Sequence, residues 1–272
     1  MYKRLIAASL IVLFALASPA VAITNGTADG TAHPYVGLVR FYNDKGDYLW
    51  RCSGTLISRT VFLTAGHCTA PDPVLGTPVS AQVWFDSDLS DPTYPNTYVT
   101  GTPNTHPKFC IGCAPGLPGF DSYDVGIVVL SQEVTDKGFG VLPALGYVDT
   151  MAMKKEVTVV GYGVHVRTTG KPGGSPPGNP HLWNPDPRIR MYATSQLIQS
   201  RDKISVMFIK LTQNPSQGKG GTSFGDSGGP VLDGNTILAV TSFGSNYNCA
   251  GVGYYYRIDT TDAQDWITTF LV

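Results

Sequence analysis

From Tyr35 to Ile258 the chain is a succession of short apolar runs rich in valine, isoleucine, tyrosine and phenylalanine, each stopped by glycine, proline, asparagine or aspartate. Runs of roughly four to nine residues are too short for helices with a full buried stripe, but they suit strands crossing a barrel or sandwich. The runs are Tyr35 to Tyr42, Leu49 to Ile57, Val61 to Thr64, Val79 to Phe85, Val125 to Leu130, Glu156 to Val160, Ile189 to Leu197, Ile204 to Leu211, Pro230 to Leu232, Thr236 to Phe243 and Gly253 to Ile258. Asn43 to Asp47 reads as a hairpin turn between the first two. Helix is scarce. Ala65 to Cys68 suits one short turn, and at the C-terminus Asp259 or Thr260 can cap a helix carrying Trp266, Ile267, Phe270 and Leu271 at helical spacing. Asp86 to Pro118 and Thr168 to Pro187 read as long loops, the second because its prolines and glycines support neither a ladder nor a helix. The 31 glycines and 20 prolines have no three-residue period, which excludes collagen. With 42% apolar and 14% charged residues the chain is not disordered, and its 272 residues make one large all-β domain or two small ones. A net charge of −1 without a basic block argues against nucleic acid as a partner.

Residues 1–22 have the form of a secretory signal peptide: Lys3 and Arg4, an uncharged run from Leu5 to Ala17, then Ser18-Pro19-Ala20-Val21-Ala22. A membrane anchor is the alternative, but the run is short for a spanning helix, so the expected mature chain starts at Ile23 with no membrane contact. That route leads to a secreted, extracellular or periplasmic protein. All five cysteines follow it, and an oxidising compartment favours disulfides over zinc. Cys110 and Cys113 form a CxxC without a second ligand pair, so no metal is expected. Their proximity favours pairing with each other, which leaves Cys249 as the odd thiol.

Three strings stand out as chemistry. In Gly225-Asp226-Ser227-Gly228-Gly229-Pro230, glycines around a serine let backbone N–H groups approach a substrate carbonyl, as an oxyanion requires. The bland reading is a tight turn with an idle serine. In Leu63-Thr64-Ala65-Gly66-His67-Cys68, the histidine follows a strand and precedes a cysteine whose disulfide would fix its backbone. His33, His106, His165 and His181 have the bland reading of packed or surface residues. Asp124 abuts the apolar run Val125 to Leu130, so its charge needs a partner; Asp121 is the competing carboxylate, without the abutting strand.

The order His67, Asp124, Ser227 and the strings around them resemble the chymotrypsin-like (trypsin-like) serine endopeptidases. Ile23 to Gly26 is similar to that family's N-terminus, Cys52 to Ile57 to its strand leading to the histidine, Val159 to Gly163 to the strand opening its second barrel, and Ser242 to Gly244 to the segment beside its cleft. The resemblance implies an all-β fold of two antiparallel six-stranded Greek-key barrels, about 23–135 and 145–258, with a short C-terminal helix at about 260–271. It implies that Ser227 is the nucleophile, His67 the general base and acid, and Asp124 the residue orienting His67 with support from Ser242. It further implies an oxyanion hole from the N–H groups of Gly225 and Ser227, and a Cys52–Cys68 disulfide. It places Gly221 and Thr222 at the floor of the specificity pocket and Gly244 and Gly253 on its walls, an open uncharged pocket for large apolar side chains. It pairs a free Ile23 amine with Asp226; relatives usually carry a propeptide before that residue, but here Ala22 abuts Ile23, so signal cleavage itself is expected to release the amine. The implied partner is a protein or peptide substrate, with no cofactor, and the protein is expected to be a monomer. Ser223 stands where relatives usually carry the cysteine that pairs with the one at Cys249. Two other readings compete: a silent homologue used for binding or adhesion, and an esterase or lipase on another fold. Retention of all three residues opposes the first, and the absence of a histidine after Ser227 opposes the second.

Overall fold

A computed structural model describes residues 23, 25–91, 93–113, 121–163, 188–199, 206–245, 249 and 251–271. The segment read as a signal peptide, residues 1–22, and the whole of the Thr168 to Pro187 loop lie outside them. In the first half, β1 (Thr27–Ala28) precedes β2 (Val36–Tyr42), β3 (Tyr48–Leu56), β4 (Val61–Thr64) and a single helical turn, α1 (Gly66–Thr69). Then come β5 (Ser80–Trp84), β6 (Asp88–Leu89), β7 (Val99–Thr105) and β8 (Gly126–Leu130). The second half has β9 (Glu156–Gly161), β10 (Arg188–Ile189), β11 (Met191–Gln199), β12 (Phe208–Gln213), β13 (Pro230–Asp233), β14 (Thr236–Gly244), β15 (Gly251–Arg257) and α2 (Thr261–Thr268).

The strands close two antiparallel barrels. The first runs β2-β3-β4-β8-β7-β5 and back to β2. The second runs β9-β11-β12-β15-β14-β13, with β13 pairing back to β9. Closure removes the sheet edges that an open sheet would expose. Its cost in sequence is an inward apolar face on most strands; in β4 all four residues are buried. One buried cluster fills the first barrel and continues through Val160, Tyr162, Phe208 and Tyr256 to Ala263 and Ile267 of α2. A separate cluster of Val157, Val159, Leu211, Val231 and Leu238 fills the second barrel. The α2 helix starts where Thr260 accepts a hydrogen bond from Ala263 N, and it buries Ala263 and Ile267.

Three elements differ from the sequence reading. First, β7 lies inside the expected Asp86 to Pro118 loop and pairs with β5 and β8. Its sequence VTGTPNT has no apolar alternation, and Gly101 is its one fully buried residue. Pro103 is tolerated because the β5 ladder ends at Gly101, so the missing N–H lies past it. Second, the strand expected at Ile204 to Leu211 is β12, displaced toward the polar, buried Thr212 and Gln213. Third, the N-terminal segment expected in the first barrel attaches to the second: β1 pairs with β11, and Ile23 joins the second barrel's buried cluster.

Candidate active site

The site is assembled where the two barrels meet. His67 lies in α1, directly after β4, and Cys68 beside it is joined to Cys52 of β3. Trp50 of the same strand donates its indole N–H to Cys68 O at 2.8 Å. The histidine backbone is thus tethered from one side. From the other, Asp124 accepts His67 N at 2.8 Å through Oδ1, and its two oxygens lie 3.0 and 2.9 Å from His67 Nδ1. Asp124 is fully buried at the mouth of β8, and the hydroxyl of Ser242, from β14 of the other barrel, donates to its Oδ2. Burial alone would raise the Asp124 carboxyl, but the His67 charge and these hydrogen bonds outweigh it and hold it below the usual range. Burial alone would lower His67, but Asp124 outweighs that and raises it above its ordinary value of 6.5.

Behind this pair, the His106 ring stacks on Tyr123 at 5.1 Å and meets Trp266 of α2 edge-on at 5.1 Å. His106 is a buried brace of the aspartate loop, so of the two bland roles open to it in sequence, packed or surface, it has the packed one. Asp121 also approaches: donor atoms of His67, Asp121 and Asp124 all lie within 4.8 Å of one another. Burial first, then the Asp124 charge, push Asp121 toward its neutral form, and its Oδ1 accepts Gly112 N.

Ser227 sits in the turn before β13 and lines one cleft together with His67 and Gly225. Among the described residues its hydroxyl makes no hydrogen bond to His67. The turn is docked onto the first barrel by Ser53 of β3: Ser53 N donates to Ser227 O at 2.8 Å, and its hydroxyl donates to Gly225 O and accepts Tyr162 N. Ser53 has no role legible in sequence, because its contacts join residues 172 and 109 positions away, which no local pattern encodes. The N–H groups of Asp226, Gly228 and Gly229 are spent on Ser223 O, Thr241 O and Asp226 O. Those of Gly225 and Ser227 join no backbone hydrogen bond among the described residues. Gly225 has φ of 95°, and a Cβ there would collide with the Arg51 guanidinium.

Asp226 is fully buried, and its carboxylate accepts Gly163 N at 2.7 Å and Ser223 N at 2.8 Å. Burial pushes its pKa up to about 7, against those hydrogen bonds and the Arg51 charge. Ile23 is buried in the cluster that contains Val157 and Val159 of β9, and the hydrogen bonds that Asp226 accepts come from Gly163 N and Ser223 N rather than from Ile23.

A second groove of about 450 Å³ is lined by Ser227, Thr222, Phe224, Phe243, Gly244 and Cys249, and its walls carry no charged side chain among the described residues. Two expected pocket residues do not line it. Gly221 and Gly253 both pack against Gln213, which lies between them where a Cβ on either would clash. Gln213 Nε2 donates to Thr222 O, Thr222 Oγ1 and Tyr255 Oη, so a buried amide fills the space that two glycines promised to leave open. It was invisible in sequence because the contact crosses from β12 to a loop and to β15. Cys110 is joined to Cys113, and Cys249 stands outside both disulfides.

The trypsin family model matches residues 23–267. Comparison with curated protein sequences gives no match. Among solved structures, the chain is similar to HL collagenase, at 24% identity and a TM-score of 0.64 over 90% of this chain and 96% of that one. It is also similar to human heparin binding protein, at 17% identity and a TM-score of 0.61 over 90% of this chain and 95% of that one. These likenesses carry the two-barrel fold, and with a family match spanning nearly the whole of the folded region, the chain belongs to the trypsin family.

Proposed function

We propose that this protein is a secreted serine endopeptidase that hydrolyses peptide bonds through an acyl-enzyme. The observation that carries the reading is the buried Asp124 carboxylate, shared between His67 Nδ1 and the Ser242 hydroxyl, with Ser227 in the same cleft as the imidazole. In this reading His67 takes the Ser227 proton as the hydroxyl oxygen attacks the scissile carbonyl, and Asp124 stabilises the imidazolium that results. The carbonyl oxygen becomes an oxyanion facing the N–H groups of Gly225 and Ser227. His67 then returns the proton to the departing amine, and water repeats the sequence to release the acid. The uncharged groove past Thr222, Phe243 and Gly244 supports cleavage after apolar side chains. Secretion rests on residues 1–22, with Ile23 as the first residue of the mature chain.

The test is Ser227→Ala in purified mature protein. Peptide turnover falls by at least about a thousandfold, and a fluorophosphonate probe that labels the native protein no longer labels the variant. Absence of labelling and of turnover in the native protein would return the assignment to a silent, binding homologue. Likeness to heparin binding protein in fold is the support for that second reading, and the lack of a basic block opposes its extension to a polyanion.

A further inference from the structure

Two cavities open onto Ser227, and the chemistry above uses one of them for the acyl side. The other is a cleft of about 210 Å³ that His67 and Gly225 also line. The departing amine receives its proton from the imidazole, so the substrate chain beyond the cut runs on the histidine side. The acyl groove does not have His67 in its wall.

Two guanidiniums line the His67 cleft, Arg51 from β3 and Arg188 from β10. Arg51 is held in place: Nη1 donates to Tyr162 O at 2.6 Å, and the group lies against Gly225. Burial first, and then the Arg188 charge, push Arg51 down to about 10, still cationic at neutral pH. Asp72 is the one carboxylate among the described lining residues, and its Oδ1 accepts Val74 N and Leu75 N within its own turn. Among the described residues the cleft wall therefore carries two guanidiniums and one carboxylate. Guanidinium groups are planar forks matched to carboxylates, and in a partly buried cleft such a contact is screened less than on an open surface.

We propose that this cleft receives a carboxylate carried by the substrate on the leaving-group side of the cut, bound by Arg51 and Arg188. The inference rests on the endopeptidase reading and names its substrate class: peptides with an acidic side chain, or a chain-terminal carboxylate, within about two residues after the scissile bond, the reach of an extended chain across such a cleft.

The test uses internally quenched peptides identical up to the cut. Beyond it they carry alanines, an aspartate or glutamate, or a lysine, each with an amidated end; one further alanine peptide ends there in a free carboxylate. The acidic peptides are cleaved with kcat/KM at least about tenfold above the alanine peptide at low salt, and the ratio shrinks as salt rises. In Arg188→Gln and in Arg51→Gln the acid-to-alanine ratio, taken within each variant so that general damage cancels, falls toward one. A gain from the terminal carboxylate alone assigns the cleft to chain ends, and a gain from the side chain assigns it to internal acids. A second arm measures binding of the same peptides to Ser227→Ala by fluorescence anisotropy. Acid-selective binding without turnover by the native protein sinks the peptidase reading and keeps the cleft's ligand. Equal rates and equal binding for acid, alanine and lysine peptides overturn the proposal.

Discussion

At the scale of single residues, protonation of His67 governs the proposed reaction. The residue must be neutral to accept the Ser227 proton, and Asp124 raises its pKa above 6.5 despite burial. Turnover therefore rises with pH through a midpoint above 6.5, and Asp124→Asn moves that midpoint down while lowering kcat by roughly 10⁴-fold, which a pH–rate profile reads. The same raised value has a stability consequence. The His67–Asp124 contact stabilises the fold fully below the unfolded histidine value, and that contribution is lost as pH rises through the folded one. Asp226 carries the second prediction. Its pKa of about 7 lies above the unfolded carboxylate value near ~3.9. Its neutral form is favoured in the fold, so stability is full below the unfolded value and declines as pH rises through about 7. A free ammonium at Ile23 reaching Asp226 would remove that decline. The expected result is a melting temperature that falls between about pH 5 and about pH 8 in the chain bearing residues 1–22 and holds in a chain starting at Ile23. Asp226→Asn in the longer chain abolishes the fall. Equal profiles for the two chains refute the pairing.

At the scale of elements, α1 is a four-residue turn with no side-chain cap, too short to persist by itself. The Cys52–Cys68 disulfide, the Trp50 indole and Asp124 hold it between β3 and β8. Closing 16 positions of chain, the disulfide contributes about 3 kcal/mol. The Cys52→Ala/Cys68→Ala protein should lose about that much in denaturant unfolding, and kcat should fall as well, because residue 67 then loses its tether to β3. A stability loss with kcat untouched would show that the disulfide does not position the histidine. The element scale also separates what was legible from what was not. Strands with an apolar face, such as β2, β4 and β8, were plain in the sequence. The β7 strand was not, because a small buried residue and a proline beyond the β5 ladder leave no pattern to read.

At the scale of the whole molecule, Arg190 clasps parts that are far apart in sequence. This fully enclosed guanidinium bonds Asp29 Oδ2 at 2.8 Å and Gly30 O at 2.7 Å in the N-terminal segment, Val36 O and Phe85 O in the first barrel, and the Tyr162 hydroxyl after β9. Arg190→Met takes the guanidinium from the buried Asp29 carboxylate, which keeps His33 as a partner, and should cost about 3 kcal/mol by chemical denaturation. Adding Asp29→Leu should recover part of that loss, and a simple sum of the two single effects would argue against a coupled clasp. By itself the sequence determined the all-β class and, through three short strings that resemble the family's, put forward His67, Asp124 and Ser227 as candidates. Each of these is written in residues close along the chain, as alternation, turn chemistry or a short string. Only the tertiary structure decided that Gln213 fills the space between Gly221 and Gly253, that Ser53 docks the Ser227 turn, and that Arg51 and Arg188 share a cleft with the imidazole. Those contacts join residues tens to hundreds of positions apart, and barrel closure, which no local pattern encodes, is what brings them together.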